Sequence, residues 1–207
     1  MTRYDIKREL KWVYAPRNRD WELVEVPAQR FIAVDGAGDP NTSDDYARAV
    51  EALYTVAYAI KFTSKRALER DFVVGPLEGL WWSDRYEAFT SRAKDEWRWR
   101  MLISQPDWIT EAAVEDAKRT TMAKKGLPAI PDVQLRTLEE GTSAQLLHVG
   151  SYDDEAPALA RLHDAYLAAH RLRPTGHHHE VYLSDPRRTE PARLRTVLRQ
   201  PVLPVDR

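Results

Sequence analysis

His179-Glu180-Val181-Tyr182-Leu183-Ser184-Asp185-Pro186 sets a carboxylate inside an apolar run, and Leu77-Glu78-Gly79-Leu80-Trp81-Trp82-Ser83-Asp84 shares its pattern and its Ser-Asp ending. Working outward from the earlier copy, residues 30–35 read as a strand, closed by the Gly36-Ala37-Gly38-Asp39-Pro40-Asn41 turn. Ser43 then caps a helix over residues 44–62, with apolar positions Tyr46, Val50, Leu53, Tyr54, Ala57 and Ile60 at helical spacing. Phe72-Val73-Val74, a Gly75-Pro76 turn and residues 77–83 read as a hairpin. Around the later copy, Ala144-Gln145-Leu146-Leu147-His148-Val149-Gly150 resembles Ala28-Gln29-Arg30-Phe31-Ile32-Ala33-Val34, a helix follows over 156–170, 172–175 is a turn, 180–184 is a strand, and a final strand lies near 196–199. The order β-α-β-β is written twice, an α+β pattern, and two copies of one unit can form a groove between them.

Between the copies, Trp97-Arg98-Trp99-Arg100-Met101-Leu102-Ile103 alternates strictly, which predicts a strand with Trp97, Trp99 and Met101 on one face. A helix is expected over 110–125, its basic end at Lys118, Arg119, Lys124 and Lys125 and its stop at Gly126. The expected organisation is one domain over 1–207: a polar N-terminal extension at 1–26, a first half at 27–105, and a second half at 106–207 that includes the linking helix.

Composition narrows the function classes. The chain has 207 residues, 43% hydrophobic and 30% charged, the profile of a folded globular protein. A net charge of −1 leaves no electrostatic footprint for nucleic acid or an anionic membrane. The absence of cysteine removes disulfides, thiol nucleophiles and thiolate metal sites. No run approaches the roughly 20 apolar residues of a membrane span, so a cytoplasmic protein is expected. Seven tryptophans are present, four of them between residues 81 and 99, and such a concentration makes either core or a wall for a flat ligand.

Glu180-Val181-Tyr182-Leu183-Ser184-Asp185-Pro186-Arg187-Arg188-Thr189, continued by Leu198-Arg199-Gln200-Pro201-Val202, resembles the GyrI-like small-molecule-binding family. Leu77-Glu78-Gly79-Leu80-Trp81-Trp82 and Trp97-Arg98-Trp99 resemble its stand-alone branch, and the resemblance spans all but about the first 20 residues. It implies an α+β fold, a tandem β-α-β-β repeat that forms a curved antiparallel sheet with helices on one face and a ligand cleft between the halves. It also implies kinship with effector domains of multidrug-binding transcription regulators, in which a glutamate at the position of Glu180 meets cationic aromatic drugs. The helix-turn-helix reader of those regulators is not expected in this chain. Stand-alone members include cyclopropanoid cyclopropyl hydrolases, which open the cyclopropane of DNA-alkylating antibiotics of the yatakemycin type, and the resemblance makes that activity an expectation here.

In a strand, Glu180 and Tyr182 share one face while Val181 and Leu183 share the other. The apolar pair is assigned to the helix-covered side, which turns Glu180 and Tyr182 toward the cleft. Desolvation there raises the proton affinity of a carboxylate and suits it to act as general base or as counter-ion to a cation. The expected roles are Glu180 as base toward water, Tyr152 or Tyr182 as donor to a carbonyl gaining charge, and Trp81, Trp82, Trp97, Trp99 and Met101 as ligand contacts. His177-His178-His179 invites a metal reading, but only His177 and His179 share a strand face, opposite Glu180, so neither metal nor cofactor is expected. Ser184-Asp185 lacks the Gly-x-Ser-x-Gly elbow of a hydrolase triad. Arg187, Arg188, Arg193, Arg195 and Arg199 read as a solvated basic face. The expected partner is a planar hydrophobic small molecule, with no direct nucleic-acid or membrane contact, bound by a monomer or homodimer. A non-catalytic drug binder, acting as sensor or sequestering protein, is the alternative, and a gyrase-interacting protein is a third class.

Overall fold

The structure, a computed structural model, describes residues 3–83 and 94–205. Asp84, which ends the first Ser-Asp pair, lies outside them. In chain order the elements are α1 (Ile6–Glu9), α2 (Lys11–Tyr14), β1 (Glu22–Val26), β2 (Gln29–Ala37), α3 (Asp44–Ala67), β3 (Leu77–Trp82), β4 (Arg98–Gln105), α4 (Glu111–Lys125), β5 (Gln134–Leu138), β6 (Gly141–Val149), α5 (Ala156–Arg161), α6 (Leu167–Ala169), β7 (Leu172–Pro174), β8 (His178–Tyr182) and β9 (Arg195–Pro204). The fold is α+β with antiparallel strands. Residues 1–9 with 29–138 form one compact unit, and residues 10–28 with 139–207 form another. No helix among the described residues is long and apolar enough to cross a membrane.

In the first unit the strands lie in the order β3-β4-β2-β5. Ser43 caps α3 by accepting the Tyr46 N–H, and Asp44 and Asp45 occupy its first turn, where the helix dipole favours them. The buried stripe of α3 is Ala49, Ala52, Leu53, Val56, Ala57 and Ile60, one position round from the expected stripe, so that Val50 and Tyr54 sit at its edge. Thr110 and the left-handed Gly126 bound α4 as expected. The expected hairpin at 72–83 does not form. Phe72 makes a parallel bridge to Tyr4, the Val73 N–H donates to the Tyr4 carbonyl at 2.8 Å, and β3 pairs with β4 instead. Gly75 lets the chain run tight against β4: a Cβ there would lie 2.4 Å from Ser104 Oγ.

In the second unit the order is β1-β6-β9-β8, with β7 paired to the end of β9. The polar stretch at 1–26 thus contains an edge strand, β1, and the expected turn at 172–175 is the short strand β7. The core packs Leu146, Ala144, Leu198 and Val202 of the sheet against Ala158, Leu162 and Leu167 of the helical segment, with Trp21 donating its indole N–H to the Ala158 carbonyl at 3.0 Å. A π-helical turn, Leu162–Tyr166, joins α5 to α6.

Candidate functional site

Register decides which side chains of the second unit meet. Glu180 is paired with Leu198, and Leu198 with Leu146, so Glu180 stands in the rung that the helical segment covers. The next rung, Tyr182–Thr196–His148, shares that face. Glu180 and Tyr182 therefore point to the helix-bearing side of the sheet and Val181 to the other, the reverse of the expected assignment. Apolarity alone could not make this choice, because the opposite face is closed by a buried polar rung: His179, Arg199 and Gln145.

Glu180 is nearly enclosed. The Tyr182 hydroxyl donates to Oε2 at 2.8 Å, and His178 Nε2 lies 3.4 Å from Oε1. A short 3₁₀ turn, Tyr152–Glu155, brings two more groups. Its start is pinned by His148 Nε2, 3.0 Å from the Ser151 carbonyl, and by Asp154, which accepts the Ser151 hydroxyl at 2.7 Å. Tyr152 then meets the Tyr182 ring edge-on at 5.7 Å, and Glu155 turns inward until it is 5% exposed. Burial, followed by the charges of Glu180, Glu155 and Asp185, pushes the Tyr152 hydroxyl up to about 12, so at neutral pH it is a donor. Burial and then the Glu180 charge hold the Glu155 carboxyl well above the usual carboxylate range. Glu155 was not expected from sequence, where Asp153-Asp154-Glu155 reads as an acidic helix start. His163, on the π-helical turn, has its imidazole pushed down by burial and by His178.

The polar rung behind this face is structural. His179 Nδ1 lies 2.9 Å from Glu140 Oε1, and Arg199 donates to Glu140 Oε2 at 2.9 Å, to Gln145 Oε1 at 2.9 Å and to the Val13 carbonyl at 3.0 Å. Burial by itself raises the Glu140 carboxyl, but attraction to His179 and Arg199 and their hydrogen bonds prevail and set it at about 2. Arg199 is thus fully buried and ion-paired, a correction to the solvated basic face expected for it. Ser184 Oγ accepts the Arg195 N–H at 3.1 Å, a structural use of that hydroxyl.

The first unit repeats the arrangement with aromatics. Trp81 and Trp99 are register partners on the α3 side of the sheet; Tyr46, in the first turns of α3, stacks on Trp81 at 6.3 Å and meets Trp99 edge-on at 5.3 Å. Trp97 adds an edge contact to Trp81 at 5.7 Å. Trp99 and Met101 are fully buried, which gives them a packing role, and Trp81 is 6% exposed. Trp82 points to the other face, against Phe31, Ala33, Leu80 and Leu102. Of the expected contacts, Glu180, Tyr182 and Tyr152 come together in one unit and Trp81, Trp97 and Trp99 in the other.

The chain belongs to the family of the GyrI-like small molecule binding domain, which matches residues 19–203. It is 40% identical to an uncharacterised conserved protein from Listeria innocua, with a TM-score of 0.89 over 97% of this chain and all of that one. A structure described as a hydrolase from Listeria innocua is likewise 40% identical, with a TM-score of 0.84 over 97% of this chain and all of the other. The C-terminal domain of EcmrR shares the fold at 11% identity and a TM-score of 0.58, over 90% of this chain and 98% of that domain. No curated protein matches the chain.

Proposed function

We propose that this small-molecule-binding protein takes planar, hydrophobic ligands and hydrolyses those bearing an electrophilic cyclopropane fused to a conjugated carbonyl. The carrying observation is the nearly enclosed Glu180 carboxylate, held by the Tyr182 hydroxyl with the Tyr152 phenol beside it. Glu180 accepts a proton from water as the water oxygen bonds to the strained methylene carbon. The cyclopropane C–C bond breaks, and its electron pair passes through the conjugated ring to the carbonyl oxygen. Tyr152, a phenol protonated at neutral pH, hydrogen-bonds that oxygen as it becomes a phenolate, and the phenolate then recovers a proton from solvent. The description of a 40% identical Listeria innocua protein as a hydrolase supports a catalytic reading over a purely sensory one.

The test is incubation with a cyclopropane-bearing alkylator followed by mass analysis. A product heavier by one water is expected. Tryptophan quenching with the compound unchanged would leave a binder and overturn the hydrolase reading.

A further inference from the structure

We infer that Glu155 and Glu180 form a carboxyl pair that carries one proton, with Glu180 as the anion and Glu155 as a neutral acid offering a hydrogen bond to the ligand; this rests on Glu180 being the working carboxylate. Geometry brings them together. The 3₁₀ turn that ends at Glu155 sets Tyr152 against the ring of Tyr182, whose hydroxyl donates to Glu180 at 2.8 Å. Glu155 is 5% exposed, and its Oε1 has no hydrogen-bond partner. A buried carboxyl oxygen without a partner is costly unless it is neutral or meets something else, and a ligand is the natural complement.

Most of the groups around Glu155 act in one sense. Burial, then Glu180 from β8 and Asp153 from its own turn, favour its neutral form, and only Thr196 from β9 opposes them. Two carboxyls so placed do not both ionise readily. The consequence for ligands is specific: at neutral pH the site carries one negative charge, not two, and offers one acid hydrogen. It suits a molecule with one acceptor, such as a conjugated carbonyl, beside its electrophilic carbon. In this account Glu155 contacts the ligand, fixes the charge of the site and leaves Glu180 as the single base.

Infrared spectroscopy of the whole protein, with carboxyl-labelled glutamate and no ligand, tests the pair directly. Wild type at neutral pH is expected to show the carbonyl stretch of a protonated carboxylic acid, and Glu155→Gln is expected to lose it. In Glu180→Gln the band should persist but titrate away at a pH lower by about one unit or more, because the neighbouring charge is gone. Absence of the band in wild type, its survival in Glu155→Gln, or an unmoved titration in Glu180→Gln would each overturn the pair. If Glu155→Gln fails to fold, the Glu180→Gln titration still decides. None of these readouts requires turnover, so a protein with the band and no hydrolysis would refute the proposed reaction while leaving the pair standing.

Discussion

A carboxylate in a rung otherwise made of leucines has lost most of its water, and an unpaired ion there costs several kcal/mol. Glu180 recovers part of that solvation from the Tyr182 hydroxyl at 2.8 Å. The hydrogen bond from Tyr182 goes to a charged acceptor and belongs to the class worth about 1.5–3 kcal/mol. Tyr182→Phe is therefore expected to lower turnover by roughly tenfold to a hundredfold while tryptophan quenching by the ligand stays near wild type. Equal losses in both would mean that Tyr182 serves binding and not the base. Glu180 and Tyr182 were legible as a pair because strand alternation puts i and i+2 on one face. Glu155 was not, since an acidic run before a helix reads as dipole matching, and only the 3₁₀ turn pinned by Ser151 and Asp154 directs its side chain inward. Arg199 escaped for a similar reason: its buried partner Glu140 precedes β6, far from it in sequence.

At the scale of elements, close approach between β2 and β4 governs the aromatic half. Gly36 faces Trp99 across the sheet, and a Cβ at Gly36 would lie 2.1 Å from the indole ring. Gly36→Ala must displace Trp99, which disturbs its contact with Tyr46. The expected loss is about 1–3 kcal/mol, read as a lower urea midpoint with an altered tryptophan spectrum. An unchanged midpoint would show that the indole has room to move. In the second unit, Glu140 ties β8 and β9 through His179 and Arg199. Its folded-state value of about 2 lies below the unbound 4.5, so its contribution to stability is fully present above about 4.5 and lost as pH falls toward 2. Glu140→Gln leaves Arg199 buried without its counter-charge and should cost about 3–5 kcal/mol at neutral pH. The variant's stability should also be flatter than that of wild type through the acid range. A wild-type stability profile with no fall below 4.5 would contradict the buried ion pair. The hairpin expected at 72–83 shows where local reading stops: Gly-Pro between two apolar runs is a turn signal, yet Tyr4 supplies the partner of Phe72.

At the scale of the whole chain, one plan is used twice with different chemistry. Each unit lays a helical start over a pair of register-matched strand residues: Tyr46 over Trp81 and Trp99 in the first, Tyr152 and Glu155 over Tyr182 and Thr196 in the second. Repetition was visible in the two Ser-Asp strands, and it carried the fold class. What it hid was the composition of each unit, because residues 1–9 join the first and residues 10–28 the second. Side-chain pattern along one strand cannot report such pairings; they arise from contacts between segments far apart in sequence. The first unit holds an aromatic cluster, and the second holds a carboxylate with two phenols. The central claim is that Glu180 is the base, and the most direct measurement compares wild type with Glu180→Gln by mass analysis of a cyclopropane-bearing alkylator after incubation. The account predicts that wild type adds one water and that Glu180→Gln binds the compound, quenches tryptophan fluorescence and leaves its mass unchanged; hydrolysis by Glu180→Gln at the wild-type rate would contradict it.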